Sequence, residues 1–187
     1  MQTLRQQTEE EHRGAEAALP LMQSDLDQAA YVDCLRRWYG VIAAWEEQAC
    51  LSAPVWLQPL LIARSRRPLL ALDLAWFGVQ APQVRVTLPP LRDLPSLLGA
   101  MYVLEGSTLG GQIIARHVET ALPLTPGHGD SFFRGHGSQT GPLWKEFCEM
   151  LTTHVPDDQQ DNVIASAKRM FTTVSFWMQE KSVVDGS

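Results

Sequence analysis

The sequence is poor in several things that would have committed it to a class. Cysteine is scarce: Cys34, Cys50 and Cys148 are the only three in 187 residues. An odd number without Cys-x-x-Cys spacing argues against a disulfide framework and a structural zinc site, and fits a reducing cytoplasm. Positive charge is the minority sign, with 15 Lys and Arg against 21 Asp and Glu for a formal charge of -6. No basic surplus is available to neutralise a row of nucleic-acid phosphates or to lie on an anionic membrane. The most apolar stretch, Pro68 to Val79, is interrupted by Asp73 and is too short to cross about 30 Å of hydrocarbon. The N-terminus, MQTLRQQTEEEHRGAE, lacks the greasy core of a secretory signal. Alternating β-branched runs are nearly absent too, except at Val84 to Leu88, which Pro89 and Pro90 cut off.

What is present is an ordinary globular composition, 45% hydrophobic and 19% charged, which is able to build a core. At about 150 residues per domain the length gives one domain, expected over residues 1–182 with a flexible tail at 183–187. Helical periodicity dominates, so the expected fold is all-α. A first helix spans about Thr3 to Leu19 and stops at Pro20, and Ser24 or Asp25 offers a cap for the next. The second, about Asp27 to Cys50, places Tyr31, Leu35, Trp38, Ile42 and Trp45 on one buried stripe. Shorter helices follow at Pro54 to Ala63 and Pro68 to Phe77, each with proline at its start and the latter with Gly78 as its stop. After a loop over Val79 to Asp93 comes a long helix, Leu94 to Ala121. A glycine-rich loop over Pro123 to Ser138 precedes the last two helices, about Gln139 to Thr153 and Asp157 to Ser182.

Two segments stand out chemically. At about 100° per residue Leu4, Thr8, His12, Ala15 and Leu19 fall within one arc of the first helix, so His12 faces inward. An inward histidine is either a hydrogen-bonded core residue or a metal or heme ligand. Glu16, one turn on, is spaced to hold the imidazole nitrogen that a metal leaves free. Glu9-x-x-His12 is half of a di-iron carboxylate motif; neither His117 nor His154 supplies the other half. In the long helix, Gly106, Gly110 and Gly111 fall within six residues, at a cost of about 0.5 to 1 kcal/mol each relative to alanine. Either another helix packs closely there, or a flat ligand lies against the main chain.

The motif Thr8-x-x-x-His12-x-x-x-Glu16 resembles the proximal helix of heme oxygenases, and Glu105-Gly-Ser-Thr-Leu-Gly-Gly111 resembles their glycine-rich distal helix, especially in phytochrome-associated bacterial members. Phe132-Phe-Arg-Gly-His-Gly137, Thr140-Gly141 and Trp144-Lys-Glu-Phe147 are similar to what precedes the final helices there. The resemblance implies a single-domain helical bundle with heme between the two helices. It makes His12 the iron ligand, Glu16 its outer partner, and Gly106, Gly110 and Gly111 the distal backbone against the macrocycle. Many members carry an aspartate after the first glycine to organise a distal water; here the residue is Ser107, which can hold a water but carries no charge. Arg5, two turns before His12, and Lys145, after Trp144, are the expected propionate anchors, whereas His117, His128, His136 and His154 read as surface groups.

The implied activity is oxidative cleavage of heme, at once cofactor and substrate, to biliverdin with release of carbon monoxide and iron. No G-x-G-x-x-G unit follows a strand, so electrons come from an external donor such as a ferredoxin or a flavin reductase, and a phytochrome is a candidate bilin acceptor. Two other readings use the same fold: a non-catalytic heme sensor or carrier, and a thiaminase-like hydrolase in which Cys148 would be the nucleophile.

Overall fold

The computed structural model describes residues 2–180; the tail expected at 183–187 lies outside the described residues. Among the described residues the chain is all-helical: α1 (Gln2–Gln7), α2 (Glu9–Ala17), α3 (Gln28–Ser52), α4 (Gln58–Ala63), α5 (Arg67–Trp76), α6 (Leu94–Ala121), α7 (Ser131–Arg134), α8 (Thr140–His154) and α9 (Gln160–Gln179). The boundaries have local causes. α3 is capped by Asp27, whose carboxylate accepts from the Ala30 amide at 2.8 Å, so neither Ser24 nor Asp25 is the cap. α5 carries Pro68 in its first turn and is followed by Gly78 at φ +71. α6 opens with a capping box in which the Asp93 carboxylate accepts from the Ser96 amide at 2.9 Å and the Ser96 hydroxyl accepts from the Asp93 amide at 3.1 Å.

Further expectations need correction. α4 starts at Gln58, not at Pro54, and Pro59 is the proline in its first turn. The first helix is divided at Thr8, whose φ of -109 and ψ of 9 leave helical geometry. Hydrogen bonds from the Thr8 amide to Leu4 and from the His12 amide to Thr8 span the break at 3.1 and 2.9 Å, so the stripe continues across it. The glycine-rich segment is not all loop, because it contains α7. Asp73 of α5 accepts from the Ser131 and Phe132 amides, both at 2.8 Å, and so satisfies the first turn of α7 from another element. The Tyr31 hydroxyl donates to the Gly129 carbonyl at 2.8 Å, and Asp130 accepts from the Gly127 amide and from Arg134 Nε. The segment is thereby docked against α3 and α5.

α6 is the axis of the core. Leu97, Leu98 and Met101 are fully buried, each contributing about 1.5 to 3 kcal/mol. α9 crosses α6 so closely at Gly99 that a Cβ there would stand 2.4 Å from the Val163 carbonyl oxygen, and the Ser166 hydroxyl donates to the Ser96 carbonyl at 2.6 Å. The α3 stripe of Tyr31, Leu35, Trp38, Ile42 and Trp45 is buried throughout, and α8 adds Phe147 and Leu151.

Candidate functional site

Thr8, between the two N-terminal helices, and Tyr102 of α6 bring two hydroxyls near one another. Thr8, buried, donates to the Leu4 carbonyl at 2.8 Å, and the Tyr102 hydroxyl lies near it. Burial pushes the Tyr102 phenol up, while Thr8 and the nearby Arg5 guanidinium draw it back. Tyr102 also packs on Trp144 of α8, centroids 5.5 Å apart, and Trp144 comes within 3.6 Å of the place a Gly106 Cβ would occupy. His12 stands one turn beyond Thr8 and Gly106 one turn beyond Tyr102.

His12 lies on the expected stripe but is not buried: its side chain is 55% exposed. The stripe closes over Leu4 and Thr8 and opens at His12, where α9 supplies the ring of Phe171, in edge contact at 5.6 Å. Glu16 Oε2 is 3.7 Å from His12 Nδ1, at the spacing expected and slightly beyond a direct hydrogen bond. Among the described residues no group of three or more His, Cys, Asp and Glu side chains assembles. An ion at His12 would therefore need most of its ligands from a non-protein group.

The three glycines of the α6 motif separate. A Cβ on Gly111 would stand 2.5 Å from the Phe133 carbonyl oxygen, so α7 occupies that side and close packing accounts for the residue. A Cβ on Gly110 would meet nothing within 4 Å, and one on Gly106 only the Trp144 ring. Leu109 and Ile113, on the same arc, are 45% and 61% exposed. The Gly106–Gly110 face is thus bare backbone bordered by apolar side chains.

Ser107 donates its hydroxyl hydrogen to the Leu104 carbonyl at 2.7 Å and accepts from Arg66 at 3.3 Å. The second of these partners escaped the sequence reading. Arg66 is buried, and its Nη2 also donates to Leu104 O at 2.8 Å while its guanidinium lies 4.9 Å over the Phe132 ring. Burial lowers its pKa, and Glu105 and Glu46 oppose that. Arg64 bridges Glu105 and Glu146 at 2.7 and 2.8 Å. Arg64, Arg66 and Glu105 border a cavity of about 260 Å³ between α3, α4 and α6, walled by Trp45, Leu61 and Met101. His136 is a further correction: it is half-buried, and its Nε2 is shielded from solvent without a partner. Burial lowers its pKa first; Arg64 and Arg66 add to this and Glu105 resists it. The sequence does carry a trace of the cluster, since Arg64-Ser-Arg-Arg67 is the densest basic run in an acidic chain.

Lys145 is not drawn into this group. It is 80% exposed on α8 and pairs with Glu149 at 3.7 Å. Cys148 is half-buried and its thiol is pushed up by burial; Cys34 is buried and pushed up to about 12. Neither is poised as a thiolate nucleophile, which removes support from the hydrolase reading.

An open imidazole beside Phe171, a bare helical face and an apolar border suit a flat, mostly apolar macrocycle that needs one axial nitrogen. Comparison with known proteins agrees. The chain is 36% identical over 156 residues to a heme oxygenase of Xanthomonas campestris pv. campestris, covering 81% of this chain and 90% of that one. In structure it resembles the heme oxygenase of Neisseria meningitidis, described in its NO- and CO-bound forms, with a TM-score of 0.77, 18% identity, and 95% and 89% of the two chains covered. It also resembles that of Leptospira interrogans, with a TM-score of 0.77, 23% identity, and 94% and 96% covered. The fold is therefore that of heme oxygenases. The heme oxygenase family model matches residues 1–180, and the chain belongs to that family. It is accordingly an enzyme of this type, with heme as cofactor and substrate. Among the described residues no helix is long and apolar enough to cross a membrane.

Proposed function

We propose that this enzyme opens heme to biliverdin and releases carbon monoxide and iron, using dioxygen and electrons delivered from outside. The observation that carries this reading is that His12 and the Gly106–Gly110 face are both open, each one turn along its helix from the neighbouring Thr8 and Tyr102 hydroxyls. His12 would hold the iron through Nε2, leaving Nδ1 toward Glu16, whose carboxylate or an intervening water fixes the tautomer. A neutral imidazole avoids the strong electron push of a thiolate ligand, which favours O–O cleavage. Gly106 and Gly110 would let the macrocycle approach main-chain atoms, and Leu109, Ile113 and Phe171 would shield it from water. Arg5, within electrostatic reach of Tyr102, and Lys145, which would have to swing from Glu149, would be the propionate anchors. When bound, heme supplies the oxygen chemistry. The chain's part is to orient it, keep the distal side dry and offer Ser107 as a hydrogen-bond acceptor there.

The electron donor would be a separate protein, a ferredoxin or a flavin reductase, and the product could pass to a phytochrome. Reconstitution with heme, a ferredoxin reducing system and oxygen tests the reading. Chromatography should show biliverdin, with one carbon monoxide released for each heme consumed. A ferric or ferrous spectrum that persists through the same treatment would instead identify a heme carrier.

A further inference from the structure

We infer that Arg66 is a positioning residue for α6, one that holds Ser107 as a pure hydrogen-bond acceptor; its bearing on heme rests on the function proposed above. A serine hydroxyl has one hydrogen and two lone pairs. The Leu104 carbonyl cannot donate, so the 2.7 Å contact consumes the hydrogen. A guanidinium cannot accept, so the 3.3 Å contact with Arg66 Nη2 consumes one lone pair. A single lone pair remains. Whatever else Ser107 binds must donate to it, as it would to an ionised carboxylate, though here without the charge.

Arg66 is placed so that it cannot relax this arrangement. Its own amide and that of Arg67 donate to the Glu46 carboxylate at 2.8 and 3.1 Å, which pins the turn between α4 and α5 onto α3. At 6% exposure the guanidinium has lost its water, and it is compensated by the Leu104 carbonyl, the Phe132 ring and the charges of Glu105 and Glu46. The stretch it holds is otherwise weak. Ser107 and Thr108 both turn their hydroxyls back onto carbonyls three residues earlier, at 2.7 and 2.6 Å, a pattern that competes with the helix. Gly106, Gly110 and Gly111 flank them with the poorest helix propensity short of proline. Arg66 Nη2 grips both the first carbonyl of this stretch and the hydroxyl that bends onto it.

Hydrogen exchange of the heme-free protein tests the structural half of the inference. In Arg66→Met the amides of residues 105–111 should exchange about tenfold faster while those of α3 and α9 keep their rates. Unchanged rates at 105–111, or uniform acceleration in all helices, overturns the proposal. If Arg66→Met does not fold, Arg66→Gln, which keeps a donor but cannot reach both oxygens, should show the same local acceleration at smaller amplitude, with the same contrary outcomes. The chemical half is read from the C–O stretching frequency of the ferrous protein with heme and carbon monoxide. Arg66→Met and Ser107→Ala should each shift it, and the double variant should shift no further than the larger single one. Additive shifts, or no shift for Arg66→Met, mean that Arg66 does not act through Ser107. Failure of the wild type to bind heme at all would sink the functional reading and leave the exchange result to decide Arg66.

Discussion

Four glycines lie within α6, and they form two pairs with opposite explanations. At Gly99 and Gly111 a neighbour's main chain sits where a Cβ would go, 2.4 Å from Val163 O in one case and 2.5 Å from Phe133 O in the other. At Gly106 there is only an ordinary 3.6 Å contact with Trp144, and at Gly110 open space. Each glycine costs about 0.5 to 1 kcal/mol against alanine in the same helix. Packing accounts for the first pair. The second pair has no such neighbour among the described residues, so packing does not account for it, and it is the pair that the function proposed above assigns to heme.

The largest expected effect follows directly. Gly110→Leu should leave circular dichroism helical yet cut bilin formation at least about a hundredfold, roughly 2.7 kcal/mol of barrier, because a branched side chain would project into the open space proposed for the macrocycle. Persistent activity would show that heme does not use the space beside Gly110. Gly99→Ala and Gly111→Ala should do the converse. Each should lower unfolding free energy by about 1 to 3 kcal/mol, the usual cost of overpacking, read from urea midpoints. Ser107→Ala should slow single-turnover bilin formation by less than about 1.5 kcal/mol, the net worth of one neutral hydrogen bond. A loss of about three orders of magnitude, near 4 kcal/mol, would make Ser107 itself the organiser of the distal side. Gly110→Ala should raise the stability of the heme-free protein by about 0.5 to 1 kcal/mol, and a destabilised variant would show that the space beside Gly110 is not open.

The smallest effect concerns His136. Its pKa is lowered from 6.5 by burial, so between the folded and unfolded values the unfolded chain binds more protons and stability rises with pH. That contribution is complete above about 6.5 and is lost as the pH falls below it. Chemical denaturation from pH 7.5 to 5 should therefore show a steeper decline in the wild type than in His136→Gln. Parallel declines would mean that the imidazole is solvated.

The bounds of α6, Leu94 and Ala121, were readable from helical period and the flanking loops, and the cap and first-turn proline that the structure shows at its start are likewise local. Readable too was the stripe through Leu4, Thr8 and His12, which depends only on helical period. α7 was not readable, since the carboxylate that holds its first amides belongs to Asp73, 58 positions from Ser131. Gly110 and Gly111 could not be told apart either, because the difference lies in where the Phe133 carbonyl sits. Arg66 and His136 were missed for a related reason. Their significance depends on burial against Ser107 and Glu105, and burial of a charged residue runs against every compositional expectation. The opening of the stripe at His12 depends likewise on how far α9 reaches.

The central claim is that His12 supplies the axial ligand on one side of heme. Titration of heme into the wild type and His12→Ala, followed by the ferric absorption spectrum, tests it most directly. The variant should keep its helical fold, show a lost or altered Soret band, and form no biliverdin under the same reductant. A spectrum and a rate indistinguishable from the wild type would contradict it.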